Sequence, residues 1–208
     1  MSAEAQDLPE WLNVSRETHF RLKTLLELVA RWNPKINLIS AGSLHHGWNR
    51  HVLDSAQLWA AANSSKGSWL DIGSGGGFPG LVIAILANEV APNVRVTLVE
   101  SDRRKCVFLN EAARQLGVRV EVHSERVESL EPFAAAVVSA RALAPLNSLL
   151  HNARRHLASG GVALFPKGQS YESELVAARD HWRFDYVAIK SLTDPDAVVL
   201  RIENIEYV

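Results

Sequence analysis

The chain of 208 residues is 47% apolar and 22% charged, and 22 Lys and Arg nearly balance 23 Asp and Glu for a net charge of −1. That length accommodates one domain with a short extension and a core that needs no disulfide or metal staple. The near-neutral balance argues against a polycationic nucleic-acid coat, whose binding comes from phosphate neutralisation, and the single cysteine, Cys106, points to a reducing cytoplasm.

Taken in chain order, Met1 to Trp11 is acidic and polar, without the basic start and apolar core of a signal peptide. Residues 15–32 place Phe20, Leu22, Leu25, Leu26 and Val29 at helical spacing behind Ser15, a natural N-cap, and Asn33-Pro34 is expected to stop that helix. A second helical pattern runs from Trp48 to Ala62 with Val52, Leu53, Ala56 and Trp59 on one side. Residues 1–66 therefore read as a helical N-terminal extension packed on a main domain of residues 67–208.

From Ser68 the texture becomes strands alternating with helices. Trp69–Ile72 reads as a strand, followed by a glycine-rich turn and a helix through Ala87. The longest apolar run, Phe78–Ala87, is about half of what a membrane span requires. Val94–Glu100 and Arg103–Leu116 form the next strand and helix, with short strands at Arg119–His123 and Ala135–Ser139. A helix over Pro145–Leu157 is expected to end at Gly160-Gly161 before a strand at Val162–Phe165. Tyr186–Ser191 and Val198–Ile205, joined through Thr193-Asp194-Pro195-Asp196, suit an antiparallel hairpin. The pattern is that of an α/β fold: a Rossmann-like, doubly wound, mostly parallel sheet with an antiparallel C-terminal hairpin. In such sheets ligands sit beyond the carboxyl ends of the strands.

The strongest chemical signal is Asp71-Ile72-Gly73-Ser74-Gly75-Gly76-Gly77-Phe78-Pro79-Gly80, with five glycines in eight residues, more than a tight turn needs. Gly75 to Gly80 fits the dinucleotide fingerprint G-x-G-x-x-G. Asp71 to Gly77 fits the acidic-x-G-x-G-x-G pattern of S-adenosylmethionine-dependent methyltransferases. The strand decides: its last apolar residue is Ile72, so the dinucleotide frame starts two residues late. Asp71 suits a cationic methionine moiety better than a pyrophosphate, and Pro79 fits the first turn of the helix. Glu100, ending the second strand, suits the ribose hydroxyls of either cofactor. A nicotinamide-dependent oxidoreductase and a non-catalytic nucleoside-binding module remain the alternatives.

Absences narrow the chemistry. Methylation at pyrimidine C5 needs an attacking thiolate, and Cys106 lies inside a helical pattern. Methylation of an exocyclic amine usually employs an Asn/Asp-Pro-Pro-aromatic turn, where this chain has Ser139-Ala140-Arg141-Ala142-Leu143-Ala144-Pro145. A purine N7 needs neither device.

With Trp32-Asn33, Asn37-Leu38, Arg50-His51-Val52-Leu53-Asp54-Ser55, the Asp71–Gly80 turn, Glu100-Ser101 through Lys105, Phe108-Leu109, Arg126-Val127-Glu128, Ser139-Ala140-Arg141-Ala142 and Lys167-Gly168 in that order, the chain resembles the ribosomal small-subunit RNA (guanine-N7) methyltransferase G family, also called glucose-inhibited division protein B. The likeness covers about residues 30–170. Glu100 stands where the family often has Asp, Ser40 where Thr is common, and an Ala precedes Arg141. The resemblance implies a class I S-adenosylmethionine-dependent methyltransferase fold and methyl transfer to N7 of a guanosine in small-subunit ribosomal RNA. It implies cofactor contacts at Gly73, Phe78, Val127, Glu128 and Arg141, with Glu100 on the ribose; Asp71 and Gly75 join them through the glycine motif.

Guanine N7 is already a nucleophile, so no residue is assigned as a catalytic base, and alignment and desolvation become the main tools. Arg141 is expected to meet the methionine carboxylate or an RNA phosphate. Arg126, Arg141 and Lys167 each abut a predicted strand end and are expected to hold RNA along one rim. His45, His46 and His51 lack a thiolate or carboxylate partner at ligand spacing, so no metal is expected. His51 and Asp54, at i and i+3, fit a structural or a substrate-facing role equally. Residues 132–171 carry four cations and no acid, whereas residues 172–208 hold eight acids against four bases. A patch that small predicts weak binding to bare RNA, with the assembled ribosomal particle supplying recognition. A cytoplasmic monomer is expected.

Overall fold

The computed structural model describes residues 7–63 and 67–208. Met1–Gln6 of the polar N-terminus, and residues 64–66 at the expected extension boundary, lie outside the described residues.

Helix α1 spans Arg16–Ile36. Its N-cap is Ser15, whose Oγ accepts from the Thr18 amide at 3.1 Å, and its buried stripe is Thr18, Leu22, Leu25, Leu26, Leu28 and Val29. Two expectations fail here. Phe20 faces outward, 69% exposed. Asn33-Pro34 does not end the helix: so late in the last turn a proline removes only its own backbone bond, and the helix runs to Ile36 and is capped by Asn37, in the left-handed region at φ 50°. A 3₁₀ turn at Ala41–His46 leads into a π-helical turn at Trp48–Leu53, which continues as α2, Asp54–Ala62. The second predicted helix is therefore present, with a wide turn at its start of a kind that often marks functional sites.

Among the described residues seven strands follow: β1 Ser68–Ile72, β2 Arg95–Val99, β3 Val120–His123, β4 Ala135–Ser139, β5 Leu157–Lys167, β6 Trp182–Lys190 and β7 Val198–Tyr207. Their order is β3-β2-β1-β4-β5-β7-β6, parallel except that β7 runs antiparallel to β5 and β6. The helices between them are α3 Gly80–Val90, α4 Arg103–Leu116, α5 Leu146–His156 and α6 Tyr171–Ala178, the last without a counterpart in the sequence prediction. Pro79 caps α3 from just outside and does not enter its first turn. Gly160-Gly161 does not end α5 either. The helix stops at His156, and the glycines lie inside β5, where the β4 register jumps from Ala135↔Leu157 to Val137↔Val162. A Cβ on Gly161 would lie 2.9 Å from the Ala135 carbonyl oxygen, so the glycine serves a bulge.

Strand alternation divides the interior in two. Trp69, Val137, Val162, Leu164 and Val199 face a core shared with α1, α2, α3 and α4. Their neighbours Leu70, Ile72, Val138, Ala163, Phe165 and Leu200 face α5 and α6. The residues of α1 and α2 thus belong to the same apolar cluster as α3 and α4. The sheet reverses direction of growth between β1 and β4, which puts the switch point beside the glycine turn. Among the described residues no helix is long and apolar enough to cross a membrane.

Candidate functional site

At the end of β1 the backbone folds over β2. The amides of Gly73 and Ser74 both donate to the Val99 carbonyl, at 2.8 and 3.1 Å, and Gly77 N donates to Ser74 O at 2.7 Å. Gly73 and Gly75 have φ of 68° and 52°, which L side chains rarely adopt. One carboxylate fastens this turn from below. Asp71 Oδ2 accepts from Gly80 N at 3.1 Å and Oδ1 from Ser139 Oγ at 2.7 Å; Ser139 in turn accepts from Trp69 Nε1 at 2.8 Å. Asp71 is fully buried, and that burial pushes its carboxyl up to about 6, against the hydrogen bonds of Ser139, Ser74 and Gly80 that pull it down. Asp71 therefore does not line the cleft where the sequence reading put a cofactor contact; it ties β1 to β4 and to the start of α3.

Above the turn opens a cleft of about 1540 Å³, lined by Gly73, Gly75, Phe78, Glu100, Val127, Glu128, Arg141, Arg126 and Lys167 among others. Every other sequence-predicted site residue is thus brought to one place. Glu100 sits at the end of β2, 8% exposed, with Oε2 accepting from Gly75 N at 2.9 Å and Oε1 from Asp102 N at 2.8 Å. Each oxygen keeps a lone pair for a further donor. Val127 and Glu128 begin a short 3₁₀ turn, Val127–Ser129.

The opposite wall is built from side chains. Arg141 donates from Nη1 to Arg50 O at 2.8 Å and to Asp54 Oδ2 at 3.3 Å, and from Nη2 to His51 Nδ1 at 2.8 Å. Since a guanidinium only donates, Nδ1 is the acceptor and the ring proton resides on Nε2, 2.9 Å from Ser43 Oγ. Ser43 Oγ passes its own proton to Ser40 O at 2.8 Å. The His51 ring stacks on Phe78 with centroids 5.1 Å apart, and the Arg141 guanidinium lies 5.4 Å from the same ring. Burial, then Arg141 and Arg50, lower the imidazole to about 3, so it is neutral at physiological pH. Asp54 Oδ1 also takes Gln57 Nε2 at 2.9 Å and Thr193 Oγ1 at 3.2 Å, while Gln57 Oε1 accepts from Leu192 N at 2.9 Å. The β6–β7 turn, read in the sequence only as a hairpin connection, therefore closes this wall. His51 and Asp54 both line the cleft and hold Arg141. Among the described residues no group of three or more metal-ligating side chains gathers, and His45 and His46 are exposed.

The expected basic rim is rearranged. Arg141 is bound as above, and Lys167 Nζ pairs with Glu174 Oε2 at 2.7 Å, its side chain 10% exposed. Arg155 donates to Leu130 O at 2.7 Å. The cleft-lining cations in no ion pair among the described residues are Arg50, Lys105 and Arg126. Arg50 and Lys105 stood in the sequence only as motif residues. The available signal was at Arg103-Arg104-Lys105, three cations in the first turn of α4, where the helix dipole disfavours them.

Residues 18–198 match the family model described as rRNA small subunit methyltransferase G. The chain belongs to this family. Among curated members, the ribosomal RNA small subunit methyltransferase G of Ruegeria sp. (strain TM1040) is 53% identical over 197 residues, 95% of this chain and 96% of the relative. That of Cereibacter sphaeroides (strain ATCC 17025 / ATH 2.4.3) is 49% identical over 208 residues, the whole of both. Solved structures share the fold at low identity. A putative S-adenosyl-L-methionine-dependent methyltransferase from Methanococcus maripaludis aligns with TM-score 0.60 at 12% identity, covering 93% of this chain and 96% of its own. A SAM-dependent methyltransferase from Aquifex aeolicus aligns with TM-score 0.56 at 13% identity, covering 74% and 90%. The family membership does not favour an oxidoreductase or a non-catalytic module.

Proposed function

We propose that this chain transfers the methyl group of S-adenosylmethionine to N7 of a guanosine in small-subunit ribosomal RNA. The observation that carries the proposal is the pairing of two unlike walls in one cleft. One is a glycine turn with a carboxylate at the end of the neighbouring strand, and the other an Arg-His-Phe cluster opening toward unpaired cations.

The donor set fits the cofactor. A Cβ on Gly75 would meet nothing nearer than Gly73 O at 3.7 Å, so the turn is open on its cleft side. Glu100 retains acceptor capacity for ribose hydroxyls, Val127 offers an apolar surface beside it, and Arg141 can exchange Asp54 for a ligand carboxylate. The cofactor brings an electrophilic methyl on a sulfonium; the protein's part is placement. Phe78 and His51 form a flat, neutral surface beside that position, which excludes water there. Guanine N7 carries its own lone pair, so the chain need not remove a proton there. Basic contacts to the base would go to O6, leaving N7 free. Arg50, Lys105 and Arg126, and not Arg141 and Lys167, are the residues suited to RNA phosphates. We place the enzyme in the cytoplasm as a monomer acting on the assembled subunit, consistent with its small unpaired charge.

The decisive measurement is mass mapping of small-subunit RNA from cells with and without this chain. One N7-methylguanosine should disappear with the gene and return with it. An unchanged methylation map overturns the activity, and calorimetry showing affinity for NAD in place of S-adenosylmethionine overturns the cofactor.

A further inference from the structure

Helix α5 turns one face toward the 126–130 segment that walls the cleft. His156 donates from Nε2 to Val127 O at 3.1 Å, and Arg155 from Nη2 to Leu130 O at 2.7 Å, so the last turn of α5 grips this segment. Asn152 stands one turn before His156, on the same face. It is 4% exposed and lines the cleft together with Val127 and Glu128, and its Oδ1 is buried without a hydrogen-bond partner among the described residues. Protein interiors rarely leave such an oxygen unsatisfied, because its lost hydration is not replaced. Of the other orphaned atoms, Asn147 Oδ1 shares with Asn152 only a neighbouring cavity of about 380 Å³, His156 does not line the cleft, and His123 Nε2 has Glu121 at 2.9 Å.

We propose that Asn152 reads the adenine edge of the methyl donor. An amide is the complement of that edge: its oxygen accepts from the exocyclic amine while its nitrogen donates to the adjacent ring nitrogen. Asn152 lines the cleft with Val127 and Glu128, on the helix whose His156 holds Val127 O, so it serves the nucleoside end of the cofactor and not the guanine. The assignment rests on the S-adenosylmethionine reading of the cleft and adds to it a residue that selects the base.

The test is calorimetry with S-adenosylhomocysteine and its inosine counterpart, in which an oxo group replaces the amine and the ring nitrogen becomes a donor. The unaltered chain should prefer the adenosine form. In Asn152→Ala that preference should shrink about tenfold, through weaker binding of the adenosine form, a change worth about 1.4 kcal/mol. Asn152→Leu, a near-isostere without polar atoms, should lose the same preference while raising the unfolding temperature, since it removes an unsatisfied polar atom from the interior. A preference unchanged in either folded variant overturns the proposal. Failure of both to fold makes Asn152 a structural residue and overturns it equally. If the unaltered chain binds neither ligand, the cofactor reading itself has failed, a result distinct from an unchanged preference.

Discussion

The two walls of the cleft are held together by different physics. The glycine-turn wall is fastened by backbone hydrogen bonds and one fully buried carboxylate, Asp71, whose two oxygens serve Ser139 and Gly80. The facing wall is fastened by side chains: Arg141, His51 and Asp54, with Gln57 and Thr193 behind them. The first set of contacts is inseparable from folding the sheet. In the second, the Arg141–Asp54 contact at 3.3 Å is the one a ligand carboxylate would replace. A site that must hold a small cofactor firmly and admit a large RNA benefits from one fixed wall and one adjustable wall.

Glycine substitutions should show the contrast most sharply. A Cβ on Gly80 would strike the buried Leu98 side chain and lie 2.7 Å from Asp71 Oδ2, so Gly80→Ala must displace the carboxylate that ties three elements. Overpacking of this kind costs about 3 kcal/mol, read as a lower urea midpoint. Gly75→Ala meets only Gly73 O, at an ordinary 3.7 Å, and suffers its positive φ, about 1 kcal/mol. Equal losses from the two would break the distinction between a packed base and an open rim.

The walls should also respond to pH in opposite senses. Asp71 has its pKa raised by burial from 3.8 to about 6, so the folded state holds that proton more tightly than the unfolded one. Its stabilising contribution is complete below pH 4 and is lost as pH rises through 6, by roughly 3 kcal/mol. Asp71→Asn should remove that part of the pH dependence when denaturation is compared at pH 4 and pH 7. His51 is shifted down from 6.5 to about 3, so its contribution is present above pH 6.5 and is lost as pH falls toward 3. NMR titration of its ring should show no protonation near pH 6. Protonation there would mean that the Arg141 bond does not persist in solution.

Arg141→Lys probes the adjustable wall alone. One ammonium cannot reproduce the planar fork that reaches Arg50 O, Asp54 and His51 Nδ1 together. S-adenosylmethionine affinity should fall about tenfold, with a loss of about 1 kcal/mol in stability. Unchanged affinity would remove Arg141 from the cofactor site.

The fixed wall was far more legible in the sequence than the adjustable one. Its residues are contiguous, and Asp71–Gly80 announces a strand, a turn and a helix through local rules alone. Even there the side-chain role of Asp71 was misread, because burial depends on where Ser139 and Trp69 arrive. The facing wall joins residues around 50, 141 and 193, and no local pattern reports such long-range meetings. His51 and Asp54 could be suspected from their spacing but not assigned, since their partner lies on another element. Gly160-Gly161 and Pro34 misled for a related reason: sheet register and the end of a helical turn decide whether a breaker breaks anything.

The cations divide along the same line, the exposed ones with the smallest effects. Lys167 lies against Glu174 and Ala144 O with little solvent contact. Lys167→Ala should therefore lower stability by about 1 to 3 kcal/mol, because half-buried Glu174 keeps the Leu146 amide but loses its charge partner. RNA affinity should follow only as far as folding does. Arg126 is exposed and unpaired, so Arg126→Ala should leave the unfolding temperature unchanged. If it touches one phosphate, it should weaken RNA binding a few-fold and reduce the slope of log affinity against log salt by about 0.7 to 0.9. Lys105→Ala should do the same independently, and the double variant should add the two slopes. Such additivity would identify separate phosphate contacts at the cleft mouth. A Lys167→Ala variant that kept full stability and lost a salt slope of its own would return that residue to the RNA-facing rim and erase the line between the two walls.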